Sequence, residues 1–316
     1  MAISKLSTSG LISFARYNSM LAGNAAFSTI GVGVAGYFAG GTTGSAVATV
    51  DKFAFPSDSR TTLGTGLSVA RQNLAGMANG DVAGYIGGGS PSGTIVDKFA
   101  FPSDSRTTLG TGLSSDRWGL AAMANSGVAG YFGGGFNSVT TVEKFAFPAD
   151  SRTVLAVGLS ASKNWVAGMA NSGTAGYIGG GNSSPTDQDV DKFAFPSDSR
   201  TTLGTGLSAG RGLMGGMANA QVAGYFGGGS GPVATVDKFT FPSDTRTTLG
   251  TGLSSARFSS PGMSNSTIAG YFGGGNTGSL VSTVDKFAFP SDSRTTLGTG
   301  LSSARNDGSA MQNQPL

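Results

Sequence analysis

The sequence predicts an all-β protein, a single six-bladed β-propeller of four-stranded antiparallel blades with a short N-terminal extension, and three observations lead there. A phrase Ala-Gly-Tyr-(Phe/Ile)-(Gly/Ala)-Gly-Gly returns six times, with tyrosines at 37, 85, 131, 177, 225 and 271 and a period of 46 or 48 residues. That period lies in the range of repeat arrays and propeller blades. A second phrase, Val-(Asp/Glu)-Lys-Phe-(Ala/Thr)-Phe-Pro, follows each time, with lysines at 52, 98, 144, 192, 238 and 286. The chain also carries 54 glycines in 316 residues, a load that calls for close backbone approach or positive φ at many places and that a helical bundle would not tolerate.

One unit, from Arg71 to Arg117, resolves into four short segments between turn signals. Strand A is read over Leu74–Asn79, B over Val82–Gly87, C over Thr94–Phe101 and D over Arg106–Ser114. Runs rich in Val, Ile, Thr, Tyr and Phe, bounded by Asn-Gly, Gly-Gly-Gly and Pro-Ser-Asp, are strands joined by tight turns. In strand C, Asp51, Phe53 and Phe55 share one face and Val50, Lys52 and Ala54 the other, so both faces can be buried between neighbouring sheets. Six such sheets close a ring that leaves only short, protected edges. An open β-solenoid is the alternative, but its repeats are usually shorter and hold fewer strands per turn.

A methionine marks strand A at Met77, Met123, Met169, Met217, Met263 and Met311. The first strand B, around Tyr37, has no such marker before it. The simplest expectation is that residues 306–313 supply the inner strand of the first blade within a propeller spanning 34–316. The competing expectation gives that role to Ala25–Ile30. Residues 1–24 match no repeat, and residues 1–33 are expected to be an attachment segment, with a disordered leader as the alternative.

Composition excludes several function classes. Cysteine and histidine are both absent, which removes disulfides, imidazole and thiolate metal ligands, and Ser-His or Cys-His nucleophilic pairs. No apolar run of about 18 residues is present, so no membrane partner is expected. The net charge is +3, but five charged slots per repeat, such as Asp51, Lys52, Asp58, Arg60 and Arg71, hold thirty of the 37 charged residues. The excess is periodic and dispersed, and no nucleic acid partner is expected. Gly31-Val-Gly-Val-Ala-Gly36 leads into a strand rather than a helix and does not form a dinucleotide site. Asp187-Gln-Asp-Val-Asp191 lacks the glycine and bidentate glutamate of a calcium loop. Glu143 is the only glutamate, and no unique carboxylate pair stands apart from the repeat. No enzyme activity, cofactor or metal is expected.

The recurring Asp58/Arg60 and Asp104/Arg106 pairs, together with Asp51, Lys52, Tyr37 and Tyr85, are read as a structural ring. In that reading the aspartate accepts backbone hydrogen bonds in its turn, and the arginine joins blade to blade through a carboxylate.

An aromatic residue followed by a glycine pair closing strand B, an acidic and aromatic third strand, and a Leu-x-x-x-Arg ending to the fourth resemble the kelch repeat over residues 35 to 311. Kelch blades usually carry a tryptophan in the fourth strand, where this chain has Thr61, Thr62 and Leu63. The resemblance implies a kelch-like propeller. It also raises a copper oxidase on such a propeller, galactose oxidase, whose histidine ligands and cysteine cross-link this chain cannot supply. The repeated Asp-Lys-Phe-Ala-Phe-Pro-Ser-Asp-Ser-Arg-Thr-Thr-Leu-Gly-Thr-Gly-Leu-Ser, with the leader Phe14–Asn24, resembles virion structural or tail-associated repeat proteins of marine cyanophages. That resemblance implies a virion location and other virion proteins as partners through residues 1–33.

The six copies differ in two places: the B-to-C connections and the residues just after the D-strand arginine or lysine. In an up-and-down blade both sets emerge on one face of the disc, and the uniform Pro-Ser-Asp-Ser-Arg turns emerge on the other. One diverse face suggests a binding side. It carries Trp118, Trp165, Phe136 and Phe258, able to stack on sugars or anchor a protein, with Asn73 and Asn182 beside them. Loop drift is the bland alternative. The function expected is a non-enzymatic tail-associated or appendage propeller that presents this face to a host surface glycan or protein. A purely structural propeller and a cellular lectin or adhesin are the alternatives, and a homo-oligomer is compatible with each.

Overall fold

In a computed structural model that describes residues 34–136, 140–182 and 188–313, twenty-four strands form six four-stranded antiparallel sheets. The first blade holds β1 (Ala35–Ala39), β2 (Val50–Ala54) and β3 (Ser59–Thr62). Its inner strand is the last of the chain, β24 (Ser309–Asn313), which pairs antiparallel with β1 through Tyr37 opposite Met311. The second blade runs β4 (Ala75–Asn79), β5 (Ala83–Gly87), β6 (Val96–Ala100) and β7 (Ser105–Thr108) in sequence order. Blades 3 to 6 repeat that order, with inner strands β8 (Ala121–Asn125), β12 (Ala167–Asn171), β16 (Gly215–Asn219) and β20 (Gly262–Asn265). The leader reading of residues 1–33, including the Ala25–Ile30 alternative, lies outside the described residues.

The fourth strand is shorter than its sequence suggests. It stops at Thr108, because Gly110 and Gly112 bend the chain and bring Leu113 into the core, where it is buried between blades. A side chain at Gly112 would strike the Thr94 carbonyl. The Leu109 amide still bonds Val96, so the ladder ends by a turn inward and not by fraying.

The core is six apolar clusters, one in each gap between neighbouring blades. Tyr37, Val50 and Met311 of the first blade pack with Ile86, Phe99 and Phe101 of the second. Phe53 and Phe55, on the opposite face of β2, pack with Met263 and Tyr271 of the sixth. The alternation of strand C therefore places each face in a different gap.

Blade packing also explains the glycines of the repeated phrase. The Met311 sulfur sits where a side chain on Gly84 of the next blade would be, and Met263 does the same to Gly36. The first glycine of the triplet at 87 is a seat for the Phe132 ring of the following blade. In the first blade that glycine is Ala39, and the facing residue of the next blade is the smaller Ile86, in the same cluster.

Two sets of ionic contacts close around the ring. In the first, the tyrosine and lysine of each blade both bind the turn aspartate of the next. Tyr37 Oη and Lys52 Nζ donate to Asp104 at 2.7 and 2.6 Å, Tyr85 and Lys98 to Asp150, and so on until Tyr271 and Lys286 reach Asp58. Each lysine also lies over its tyrosine ring, as Lys52 does at 5.4 Å. Each tyrosine stacks on the phenylalanine before the turn proline of the next blade, Tyr37 on Phe101 at 5.3 Å. Burial, then the hydrogen bond and charge of the aspartate, push every one of these phenols far above its ordinary value, so they remain donors. Asp58 thus serves as an inter-blade acceptor and not as the backbone cap of its own turn.

The second set corrects the role of Arg60 and Arg106. Arg60 approaches Asp51 of its own blade at 3.8 Å, and Arg106 approaches Asp97 of its own at 3.6 Å. Joining blades falls to the arginine at the end of the D-to-A stretch. Arg71, fully buried in the connection leaving the first blade, donates to Asp97 of the second at 2.7 Å and to the Gly88 and Ile95 carbonyls. Arg117–Glu143, Arg211–Asp237, Arg257–Asp285 and Arg305–Asp51 repeat the pair at 2.6 to 3.0 Å. At Lys163, the one lysine in this slot, the distance to Asp191 is 3.9 Å.

For Asp51, Asp237 and Asp285, burial acts to raise the carboxyl pKa. Hydrogen bonds from serine and threonine and the facing guanidinium outweigh it and hold each group below its ordinary 3.8. A carboxyl depressed in the folded state contributes stability above its unfolded value, and that stability is lost as pH falls through the folded value. Unfolding free energy is therefore expected to be level near neutrality and to fall on the acid side of about pH 4, as followed by denaturant titration at stepped pH.

Candidate functional site

The inner strands surround a central channel with two different mouths. They approach so closely midway that a side chain on Gly168 would strike the Ala122 carbonyl and one on Gly216 the Gly168 carbonyl. On the side of the A-to-B turns the channel widens to a cavity of about 720 Å³, lined by Met123, Ala124, Ser126, Ala170 and Ser172 among others. Around that side the residue before each second strand is an exposed apolar one in five blades: Val34, Val82, Val128, Val222 and Ile268.

The other mouth is built by the D-to-A connections, where sequence variation is concentrated. Asn73, Gly119, Trp165, Leu213, Ser259 and Asp307 occupy one repeat position, and all six have φ between 55° and 66°. Each amide donates to the carbonyl of the preceding member: Gly119 to Asn73, Trp165 to Gly119, Leu213 to Trp165, Ser259 to Leu213, Asp307 to Ser259 and Asn73 to Asp307, at 2.6 to 3.3 Å. A closed ring of backbone hydrogen bonds thus encircles the axis. These residues also line a small cavity of about 100 Å³ at the axis. The side chains differ completely while the backbone does not, so variation here changes the lining of the mouth and leaves its frame intact.

The variable B-to-C connections meet the same mouth. Gln72 pairs with Ser90, Thr42 with Asn306, and Phe258 with Asn276 as isolated β-bridges. Three of the four aromatic candidates come together. Trp118 stacks on Phe136 at 4.3 Å with 11° between planes, and Trp165 meets Trp118 edge-on at 5.0 Å. The indole of Trp165 lies over Gly119, where a β-carbon would stand 3.1 Å from its ring. Phe136 is 41% exposed and both tryptophans are half-buried. The fourth candidate does not join them: Phe258 lies in the connection between the fifth and sixth blades, across the ring from Trp118.

Asn182 is exposed and bonds the Asn164 carbonyl through its amide, next to Trp165 in sequence. Asn73 sits in the backbone ring with its side-chain Oδ1 buried and unpartnered. Asp307 and Ser259 escaped the sequence reading. The available signal was register: Asp307 is an acid outside the five charged slots, at the repeat position of Asn73 and Trp165. Among the described residues no group of three or more Asp or Glu could hold a metal ion, and the carboxylates of the repeat are engaged in the two ionic sets above.

No family model matches this chain, and no curated protein does. Among solved structures it is similar to one described as "Structure of YjhT", at 15% identity and a TM-score of 0.63, over 77% of this chain and 88% of that one. The likeness shows the fold, a six-bladed β-propeller.

Proposed function

We propose that this protein is a non-enzymatic binding propeller of a phage virion, tail-associated, which presents its variable face to a host surface glycan or protein. The observation that carries the reading is the Trp118–Phe136–Trp165 cluster on the face where the six copies diverge. Stacked, partly exposed aromatics offer flat apolar area at little entropic cost, the usual basis of sugar stacking and of protein hot spots. The kelch-like and virion parts rest on the resemblances of the repeat and leader. The absence of histidine and cysteine from the sequence supports the non-enzymatic part.

The double variant Trp118→Ala, Trp165→Ala is expected to lose about thirtyfold or more in binding to host cells or to a glycan array, the scale of a two-residue hot spot. Its fold is expected to survive, since the ring contacts of these indoles lie outside the six core clusters. Binding retained in the double variant, with an unchanged melt, removes the aromatic reading.

A second reading, a structural propeller fixed to a particle, is favoured by the opposite face. The chain enters the first blade there at Val34, whose amide bonds the Asn313 carbonyl, and the exposed apolar rim surrounds the wide mouth. Five exposed aliphatic side chains around one opening suit an assembly contact. Replacing Val82, Val128 and Val222 by serine should then release the protein from its particle and leave receptor binding intact.

A further inference from the structure

We propose that the axial opening of the variable face is a binding site for a primary ammonium group on an aliphatic stem. Asp307, Asn73 and Ser259 form its polar side, and Trp165 and Leu213 its apolar side. The inference deepens the reading of this face as a binding face and rests on it for biological meaning only.

The hydrogen-bond inventory of the mouth points to a donor ligand. All six ring amides are spent on neighbouring carbonyls, so none of these six is left for an anion. Each of those carbonyls accepts one ring bond and keeps a second lone pair. Asn73 Oδ1 is buried without a partner. Three consecutive members of the ring, Ser259, Asp307 and Asn73, are polar, while Gly119, Trp165 and Leu213 opposite them are not. Asp307 and Trp165 are three positions apart in the ring of six, stand opposite each other across the axis and both line the cavity. A ligand with a charged donor end and an apolar stem matches that division, and an aromatic wall favours a cation over a neutral polyol.

Charge makes the same choice. Thirty charged residues repeat in five slots and pair within the scaffold; Asp307 belongs to none of them. Among the described residues no lysine or arginine pairs with it. Burial pushes its carboxyl above the ordinary value. The Ser259 hydroxyl beside it is buried without a hydrogen-bond partner. A half-buried carboxylate that no cation pairs is left free to hold a cationic ligand, which offsets its partial desolvation. The cavity of about 100 Å³ admits an alkylammonium tip but falls below the usual range of sites that enclose a whole drug-sized ligand.

The ammonium could belong to a lysine side chain or to an amino sugar, and the titration separates them. Purified full-length protein is titrated, with NMR detection of the Trp165 indole, with Nα-acetyl-lysine methylamide, glucosamine, methyl glucoside and calcium chloride. Saturable binding near the millimolar range expected of a fragment by the lysine amide assigns a peptide source, and by glucosamine an amino-sugar source. Asp307→Asn is expected to weaken either by at least about tenfold and to melt no lower than the parent, since it removes a half-buried charge that no lysine or arginine among the described residues pairs with. No response to either amine overturns the proposal. So does equal binding by the Asp307→Asn protein, an equal response to methyl glucoside, or a response to calcium alone. Failure here is distinct from failure of the aromatic reading: Asp307→Asn leaves the Trp118–Phe136 stack in place, and host-cell binding reports on that stack separately.

Discussion

Removal of residues 306–316 is expected to lower the melting temperature by about 10 °C or more, because it opens the ring. The truncated chain loses β24, and with it the inner strand of the first blade, the Tyr37–Met311 pairing and the Asp307 link of the backbone ring. Met311 is fully buried, in the gap between the first and second blades. Its truncation alone, Met311→Ala, is expected to cost about 2–5 kcal/mol through lost transfer energy and the cavity left beside Gly84. For a chain of this size each kcal/mol moves the melting temperature by roughly 2–4 °C. Deleting the strand adds the exposure of β1 as an open edge, which invites pairing between chains, so the truncated protein should also associate as it unfolds. An unchanged thermal melt, with no more self-association than the parent shows, would show that the ring closes without this strand.

Asp97→Ala is expected to destabilise the protein by about 3–5 kcal/mol, read by urea denaturation. The side chain is inaccessible and accepts from Arg71 at 2.7 Å, from the Ser68 amide at 3.0 Å and from the Thr108 hydroxyl at 2.8 Å. Removing it strands a guanidinium that is itself inaccessible. The cost comes from the orphaned charge rather than from the worth of the pair. A double replacement, Arg71→Met with Asp97→Leu, is therefore expected to recover most of the loss. Asp104→Ala, which breaks a pair whose side chains are 21% and 17% exposed, should cost clearly less, because water can reach the freed lysine. Equal losses from Asp97→Ala and Asp104→Ala would contradict the division between a buried and a peripheral ring of charges.

The architecture was legible because the repeat writes it six times. Tyrosine, methionine and glycine recur at fixed offsets, and alternation in strand C announces two buried faces. Which copy touches which was not legible. Asp58, Asp104 and Asp150 are interchangeable in the sequence, so periodicity alone cannot say that Tyr37 reaches Asp104 in the next blade rather than an aspartate in its own. The same degeneracy concealed the roles of the two basic slots: those of Arg60 and Arg71 each recur in all six repeats, the second once as Lys163, and only the fold shows that Arg71 spans the gap.

On the variable face the obstacle was different. Asn73, Gly119, Trp165, Leu213, Ser259 and Asp307 share nothing as side chains, yet all adopt the left-handed conformation and close one hydrogen-bonded ring. A pattern carried by the backbone leaves no residue signature. The aromatic cluster was visible in part: tryptophans on one face could be placed from strand direction alone, whereas the stacking of Trp118 on Phe136, and the separation of Phe258 from both, depended on which blades are neighbours.

The central claim, that the repeated scaffold carries its binding on the face where its copies differ, is tested most directly by hydrogen–deuterium exchange of the protein free and bound to host cell envelopes. The account predicts protection confined to residues 72–74, 118–120, 136, 164–166 and 182 and the neighbouring connections of that mouth. Protection at the A-to-B turns 79–82, 125–128 and 219–222, with the variable connections unchanged, would contradict it.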